Sequence, residues 1–134
     1  MLRAPARRHT AGMQVFLVED SVMVLERLTA MLASVPGTQV MGHATEADDA
    51  IRAILEGRPD VVVLDLKLAR GSGFDVLRAV HERAPEIDVY MLSNFSSEPY
   101  RRLAERLGAR DFFDKSSEFE RVRDIVAKRA AHPE

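Results

Sequence analysis

Five residues stand where this chain could do chemistry: the pair Glu19-Asp20, then Asp65, Ser93 and Lys115. Each lies at the end of a short apolar run: Met13 to Val18, Val61 to Leu64, Ile87 to Leu92, and Phe112-Phe113. Three carboxylates held within about 4 to 5 Å of each other repel by roughly 4 kcal/mol per pair at an effective dielectric of 20. Such a cluster either raises its pKa values or binds a cation. Oxygen ligands with no His or Cys beside them select a hard ion, and an open octahedral site completed by water suits Mg²⁺. Lys115 adds a fixed positive charge and Ser93 a hydroxyl donor. A carboxylate nucleophile, a divalent ion, an ammonium and a hydroxyl together stabilise a transferring phosphoryl group. The chain contains neither a hydrolase triad nor a glycine-rich nucleotide loop.

One stretch must position these groups, Pro59 to Asp65. Its four apolar residues, Val61-Val62-Val63-Leu64, predict a strand buried on both faces in the middle of a parallel sheet. Asp65 alone reads as an ordinary loop residue, but the other strands bring polar groups to the same carboxyl edge, where open α/β folds bind ligands. Around that strand the pattern alternates. A strand over Met13–Val18 leads to a helix capped by Ser21, with Leu25, Leu28 and Leu32 on one face. Thr38–His43 is half-polar and suits a sheet edge. Thr45 and Asp48 predict a capping box for a helix that stops at Gly57. Beyond Asp65, Gly71 and Gly73 mark a loop, followed by a helix with Phe74, Leu77, Val80 and Ala84 on one face. The strand Ile87–Leu92 precedes a helix from Pro99 to Gly108, and Asp111-Phe112-Phe113 is a last short strand. Ser117 and Glu120 predict a second capping box, opening a final helix with Phe119, Val122, Ile125 and Val126. Five strands alternating with five helices give a three-layer α/β/α sandwich, a doubly wound (βα)5 parallel sheet.

Composition agrees. The 134 residues, 46% hydrophobic and 30% charged, suit one domain without an apolar run long enough to span a membrane. Without cysteine there is no disulfide framework or thiolate metal site, and a reducing, cytoplasmic location is expected. Residues 1–12 carry Arg3, Arg7 and Arg8 and no acid, so they read as a basic, disordered extension preceding a domain over 13–134. Without those three charges the net charge of -2 becomes -5, which disfavours direct binding to nucleic acid. His9, His43, His81 and His132 lie in unrelated segments and read as solvated or structural.

The ordered set Glu19-Asp20, Asp65, Ser93 and Lys115 resembles the receiver domain of two-component response regulators, over about residues 13 to 131. Strand order 2-1-3-4-5 is implied, as in flavodoxin-like folds. The resemblance implies Mg²⁺ held by Glu19, Asp20, Asp65 and the backbone carbonyl of Lys67, with Asp65 as phospho-acceptor. It implies a histidine kinase or phosphotransfer protein as donor, Ser93 and Lys115 as groups drawn to the phosphoryl, and Phe112 as the aromatic switch. Gly73, eight past Asp65, also fits. Three positions depart from the family pattern. Ala69 stands where Pro is usual, and Asn94 where a small residue is usual, implying narrower access to Asp65. Ser116 follows Lys115 in place of a proline. The expectation is a single-domain regulator without an output domain, acting on an unknown protein target rather than as an enzyme. The alternative is a phosphorylation-independent adaptor of the same fold. A flavin carrier would need a hydroxyl-rich loop where Glu19-Asp20 stand, and an aspartate-nucleophile phosphatase a second Asp at Lys67.

Overall fold

The computed structural model describes residues 12–132, so residues 1–11 of the basic segment and the last two residues lie outside it. Strands β1 (Met13–Val18), β2 (Thr38–Ala44), β3 (Val61–Leu64), β4 (Asp88–Ser93) and β5 (Asp111–Asp114) alternate with five helices. These are α1 (Val22–Ala33), α2 (Ala47–Gly57), α3 (Gly73–Arg83), α4 (Glu98–Arg106) and α5 (Arg121–Ala131). All strand pairs are parallel, in the order β2-β1-β3-β4-β5. The expected sandwich is therefore the observed one.

Strand alternation divides the core in two. Val61, Val63, Val15, Leu17 and Leu92 pack with Leu25, Leu28 and Leu32 of α1 and with Val122 and Val126 of α5. Val62, Leu64, Val18 and Met91 face the other way, onto Ile54 of α2, Leu77 and Val80 of α3, and Ala104 of α4. All four β3 residues are buried, which a strand covered on both sides requires. Burying each such side chain stabilises the fold by about 1.5 to 3 kcal/mol. β2 alternates half-buried with exposed residues, as befits a sheet edge.

The helix starts contain the corrections. Ser21 caps α1 as expected, its hydroxyl accepting from Val24 N–H. The Thr45/Asp48 box does not form: the cap of α2 is Glu46, with no side-chain bond. Instead Ala47 N–H donates to the Arg70 carbonyl at 2.9 Å, and Ala69 N–H to the Thr45 carbonyl at 3.0 Å. The loop after β3 thus satisfies an amide that a local cap would otherwise serve. Nor does the Ser117/Glu120 box form, because α5 starts only at Arg121 with Glu120 in helical geometry. Residues 118–123 close by short-range turns from Glu118 to Arg121, Phe119 to Val122 and Glu120 to Arg123. A capping box does form at α3, between Ser72 and Asp75. At the end of α2 the left-handed residue is Arg58, φ 52°, rather than Gly57. A Cβ at Gly57 would lie 2.7 Å from Met41 Cε, the mobile end of a partly exposed side chain that can turn aside.

At the edge of the sheet opposite Asp65, Asp88 opens β4 with its carboxylate buried. It accepts from Arg110 Nε at 2.9 Å and from Arg129 Nε at 2.7 Å, tying β5 and the end of α5 to the central sheet.

Candidate functional site

Strand register brings the chemical groups together. Val18 of β1 pairs with Leu64 of β3, so Glu19 and Asp65 leave the sheet side by side. Asp65 N–H donates to the Val18 carbonyl at 3.0 Å, and Glu19 N–H to the Ala44 carbonyl at 3.0 Å, fixing both backbones. Lys115 N–H donates to the Ser93 carbonyl at 3.1 Å, joining β4 to β5 in the same way. Glu19, Asp65 and Lys115, with Asp20, Lys67, Asn94 and Phe95, line a cleft of about 260 Å³.

Within the cleft, carboxylate oxygens of Glu19, Asp20 and Asp65 lie within 4.8 Å of one another. Glu19 and Asp65 are buried and Asp20 is exposed, which leaves one side of the cluster open to water. The Lys115 ammonium bridges the buried pair, 2.7 Å from Asp65 Oδ2 and 2.8 Å from Glu19 Oε1. The remaining oxygens also have partners. Asp65 Oδ1 accepts from Leu66 N–H at 2.7 Å, and Glu19 Oε2 from Ser21 N–H at 2.9 Å. Burial pushes the Glu19 carboxyl up, with the neighbouring Asp65 charge adding to it; Lys115 and the Ser21 amide oppose without cancelling. Burial would lower Lys115, but its bonds to Asp65 and Glu19 outweigh this and raise it, so it stays charged.

Three carboxylates share one ammonium, so the donor set carries an excess negative charge and consists only of oxygen. Those properties fit Mg²⁺. A carboxyl raised on folding adds stability that is complete below its unfolded pKa and is lost as pH rises through the folded pKa. Metal-free protein thus loses the Glu19 contribution on the alkaline side, where the ionised carboxylate is available to a cation. Mg²⁺ is expected to raise the melting temperature more at about pH 8 than at about pH 5, where protons compete for Glu19. Equal shifts in melting temperature at the two pH values would contradict this assignment.

Of the remaining expected residues, Asn94 and Lys67 line the cleft, whereas Ser93 and Phe112 do not. Ser93 is fully buried at the end of β4, its Oγ accepting from Phe95 N–H at 3.1 Å. Asn94 is exposed at the mouth, and Lys67 lines the cleft with its side chain in solvent. Phe112 is buried in the core beneath the Arg101 guanidinium, whose Cζ lies 5.0 Å from the ring centroid. No cis peptide occurs among the described residues, so the Lys115–Ser116 bond is trans. Phe95 continues the cleft into a groove with Leu66, Phe74 and Tyr100. There Tyr100 stacks on Phe74 at 6.4 Å and meets Phe95 edge-on at 5.9 Å.

Sequence reasoning missed the polar residues that surround Lys115. Ser96 Oγ donates to Asp114 Oδ2, and the other Asp114 oxygen accepts from Ser116 N–H at 2.8 Å and Ser117 N–H at 3.1 Å. The Ser116 hydroxyl, which also donates to Asp114 Oδ1, lowers the Asp114 carboxyl most, and together with these bonds it holds the group well below the usual carboxylate range. The run Asp114-Lys115-Ser116-Ser117 was the available signal, since an Asp two residues before a Ser favours such turns.

A parallel 2-1-3-4-5 sheet with an acidic cluster and a lysine at its carboxyl edge defines a receiver. The response regulator receiver domain model matches residues 15–127, and this chain belongs to that family. Among relatives, it is 38% identical over 102 residues to protein-glutamate methylesterase/protein-glutamine glutaminase 3 of Geobacter sulfurreducens. That match covers 76% of this chain and 27% of the relative. Response regulator GacA of Pseudomonas aeruginosa is 28% identical over 109 residues, covering 81% of this chain and 51% of GacA. The chain therefore spans between about a quarter and a half of these relatives. Among solved structures, the response regulator domain of Thermotoga maritima CheB superposes with a TM-score of 0.79 at 26% identity, covering 90% of this chain and 95% of that one. The signal receiver domain of a Luxo repressor protein from Vibrio parahaemolyticus gives 0.81 at 28% identity, covering 91% and 95%. Among the described residues, no helix is long and apolar enough to cross a membrane.

Proposed function

We propose that Asp65 accepts a phosphoryl group from a histidine kinase or phosphotransfer protein and that the change is read by a partner protein. The observation that supports this most is the ammonium of Lys115 set 2.7 Å from a buried Asp65, beside two further carboxylates. In this reading a carboxylate oxygen of Asp65 attacks the phosphorus of phosphohistidine. The P–N bond breaks, its electron pair stays on the imidazole, and an aspartyl phosphate results. Mg²⁺, when held by Glu19, Asp20, Asp65 and the Lys67 carbonyl, supplies positive charge to the phosphoryl oxygens. Lys115 exchanges its carboxylate contact for one phosphoryl oxygen, and the Ser93 hydroxyl donates to another. Burial of Glu19 and Asp65 lowers the local dielectric, so each of these contacts counts for more than it would in water.

Asn94, exposed at the mouth, governs the entry of water and hence the lifetime of the phosphoryl group. Phe112 is the switch residue in this account, linking Ser93 to the face formed by α4, β5 and α5. A new dianion at Asp65 biases that face between two arrangements. Titration with beryllofluoride in Mg²⁺ tests the reading, because this complex mimics an aspartyl phosphate without a covalent step. Saturable, Mg²⁺-dependent binding that is lost in Asp20→Asn is expected. A protein that shows no response would instead be an adaptor working through protein contacts alone.

A further inference from the structure

The loop between β4 and α4 and the loop after β5 are fastened to each other by side chains outside the acidic cluster. Ser96 is held twice, through its hydroxyl by Asp114 and through its carbonyl by Arg101 Nε at 2.6 Å. Arg101 reaches further, donating from Nη1 to the Phe112 carbonyl at 3.0 Å and from Nη2 to Glu118 Oε1 at 3.4 Å. Glu118 Oε1 also accepts from Asp114 N–H at 2.8 Å, which closes the circuit beside Lys115. One guanidinium thus contacts the segment carrying Ser93, the backbone of Phe112 and the segment carrying Lys115.

We infer that Ser96, Arg101 and Asp114 are positioning residues forming a latch that holds Ser93 and Lys115 in the unphosphorylated arrangement. The inference rests on the phosphoryl-acceptor reading above. Ser93 Oγ accepts from Phe95 N–H, so turning the hydroxyl towards a phosphoryl oxygen either gives up that bond or carries the 94–96 segment with it. That segment cannot move far while Ser96 is pinned at both its hydroxyl and its carbonyl. The latch also depends on a departure from the family pattern, because Ser116 donates the backbone N–H that a proline in its place would lack. A latch made of hydrogen bonds opposes activation by the free energy of those bonds, and breaking one shifts the balance towards the active arrangement.

The test is calorimetric titration of beryllofluoride at fixed Mg²⁺ on wild type, Ser96→Ala, Ser96→Thr and Arg101→Lys, with melting temperatures measured in parallel. Ser96→Ala is expected to bind about three- to tenfold more tightly than wild type, the worth of one hydrogen bond. Ser96→Thr, which restores the hydroxyl, is expected to return to the wild-type value. Arg101→Lys, which keeps the charge and loses the fork, should bind more tightly as well. A merely structural role would lower the melting temperature of Ser96→Ala without tightening binding, and that result overturns the latch. So does tightening that Ser96→Thr fails to reverse. Wild-type protein that refuses beryllofluoride removes the acceptor reading itself, and the latch with it.

Discussion

Incubated with acetyl phosphate and Mg²⁺, wild-type protein is expected to gain the mass of one phosphoryl group, while Asp65→Asn gains none. Intact-protein mass spectrometry reads both. Asparagine has nearly the shape of aspartate and its carbonyl can still accept from Leu66 N–H, so the fold should survive the change. What it loses is the anionic oxygen that would attack phosphorus in the proposed reaction, and an amide offers no substitute. Asp65→Asn relieves repulsion among the three carboxylates but weakens one of the two Lys115 contacts, and because Glu19 keeps the other at 2.8 Å the variant should melt close to wild type. Label that persists in Asp65→Asn would move the acceptor to another carboxylate and sink this assignment.

Gly73→Ala is expected to cost more than about 3 kcal/mol of stability in urea denaturation, the upper range for overpacking. Gly73 opens α3, and its amide donates to the Leu66 carbonyl at 2.7 Å, drawing the helix onto the segment that follows Asp65. A Cβ at this position would lie 2.2 Å from the Asp65 carbonyl oxygen and 2.8 Å from Leu66 Cα. Both neighbours are backbone, so neither can rotate aside as a side chain would. Relief requires moving the peptide that carries Asp65, and phosphoryl acceptance should fall in whatever fraction remains folded. A variant within about 1 kcal/mol of wild type would show that the α3 start yields more easily than this packing implies.

The parts of the molecule legible in the sequence are those governed by short-range pattern. Val61 to Leu64 is an unbroken apolar run because both its faces are covered, and its position in mid-sheet follows directly. Glu19, Asp20, Asp65, Ser93 and Lys115 could be placed together because each ends a recognisable strand and parallel strands share one carboxyl edge. The capping boxes failed for the opposite reason. The amide of Ala47 is taken by the Arg70 carbonyl, 23 residues away, and no window around Thr45 contains that partner. Asp88 looks like any acidic residue at the start of a strand until Arg110 and Arg129 arrive from 22 and 41 residues along the chain. Ser96 and Asp114 are a further case, since a serine and an aspartate in separate loops become a pair only once β4 and β5 are in register.

The ring cluster beside the cleft gives the protein an optical reporter of its own. The chain has no tryptophan and two tyrosines, so its ultraviolet emission comes from the phenol groups of Tyr90 and Tyr100. Tyr90 is sealed in the core at 7% exposure, whereas Tyr100 is 40% exposed, wedged between Phe74 and Phe95. Phe95 is also the residue whose amide holds Ser93. Any displacement of that loop changes the surroundings of one fluorophore and leaves the other as an internal reference, with no dye attached.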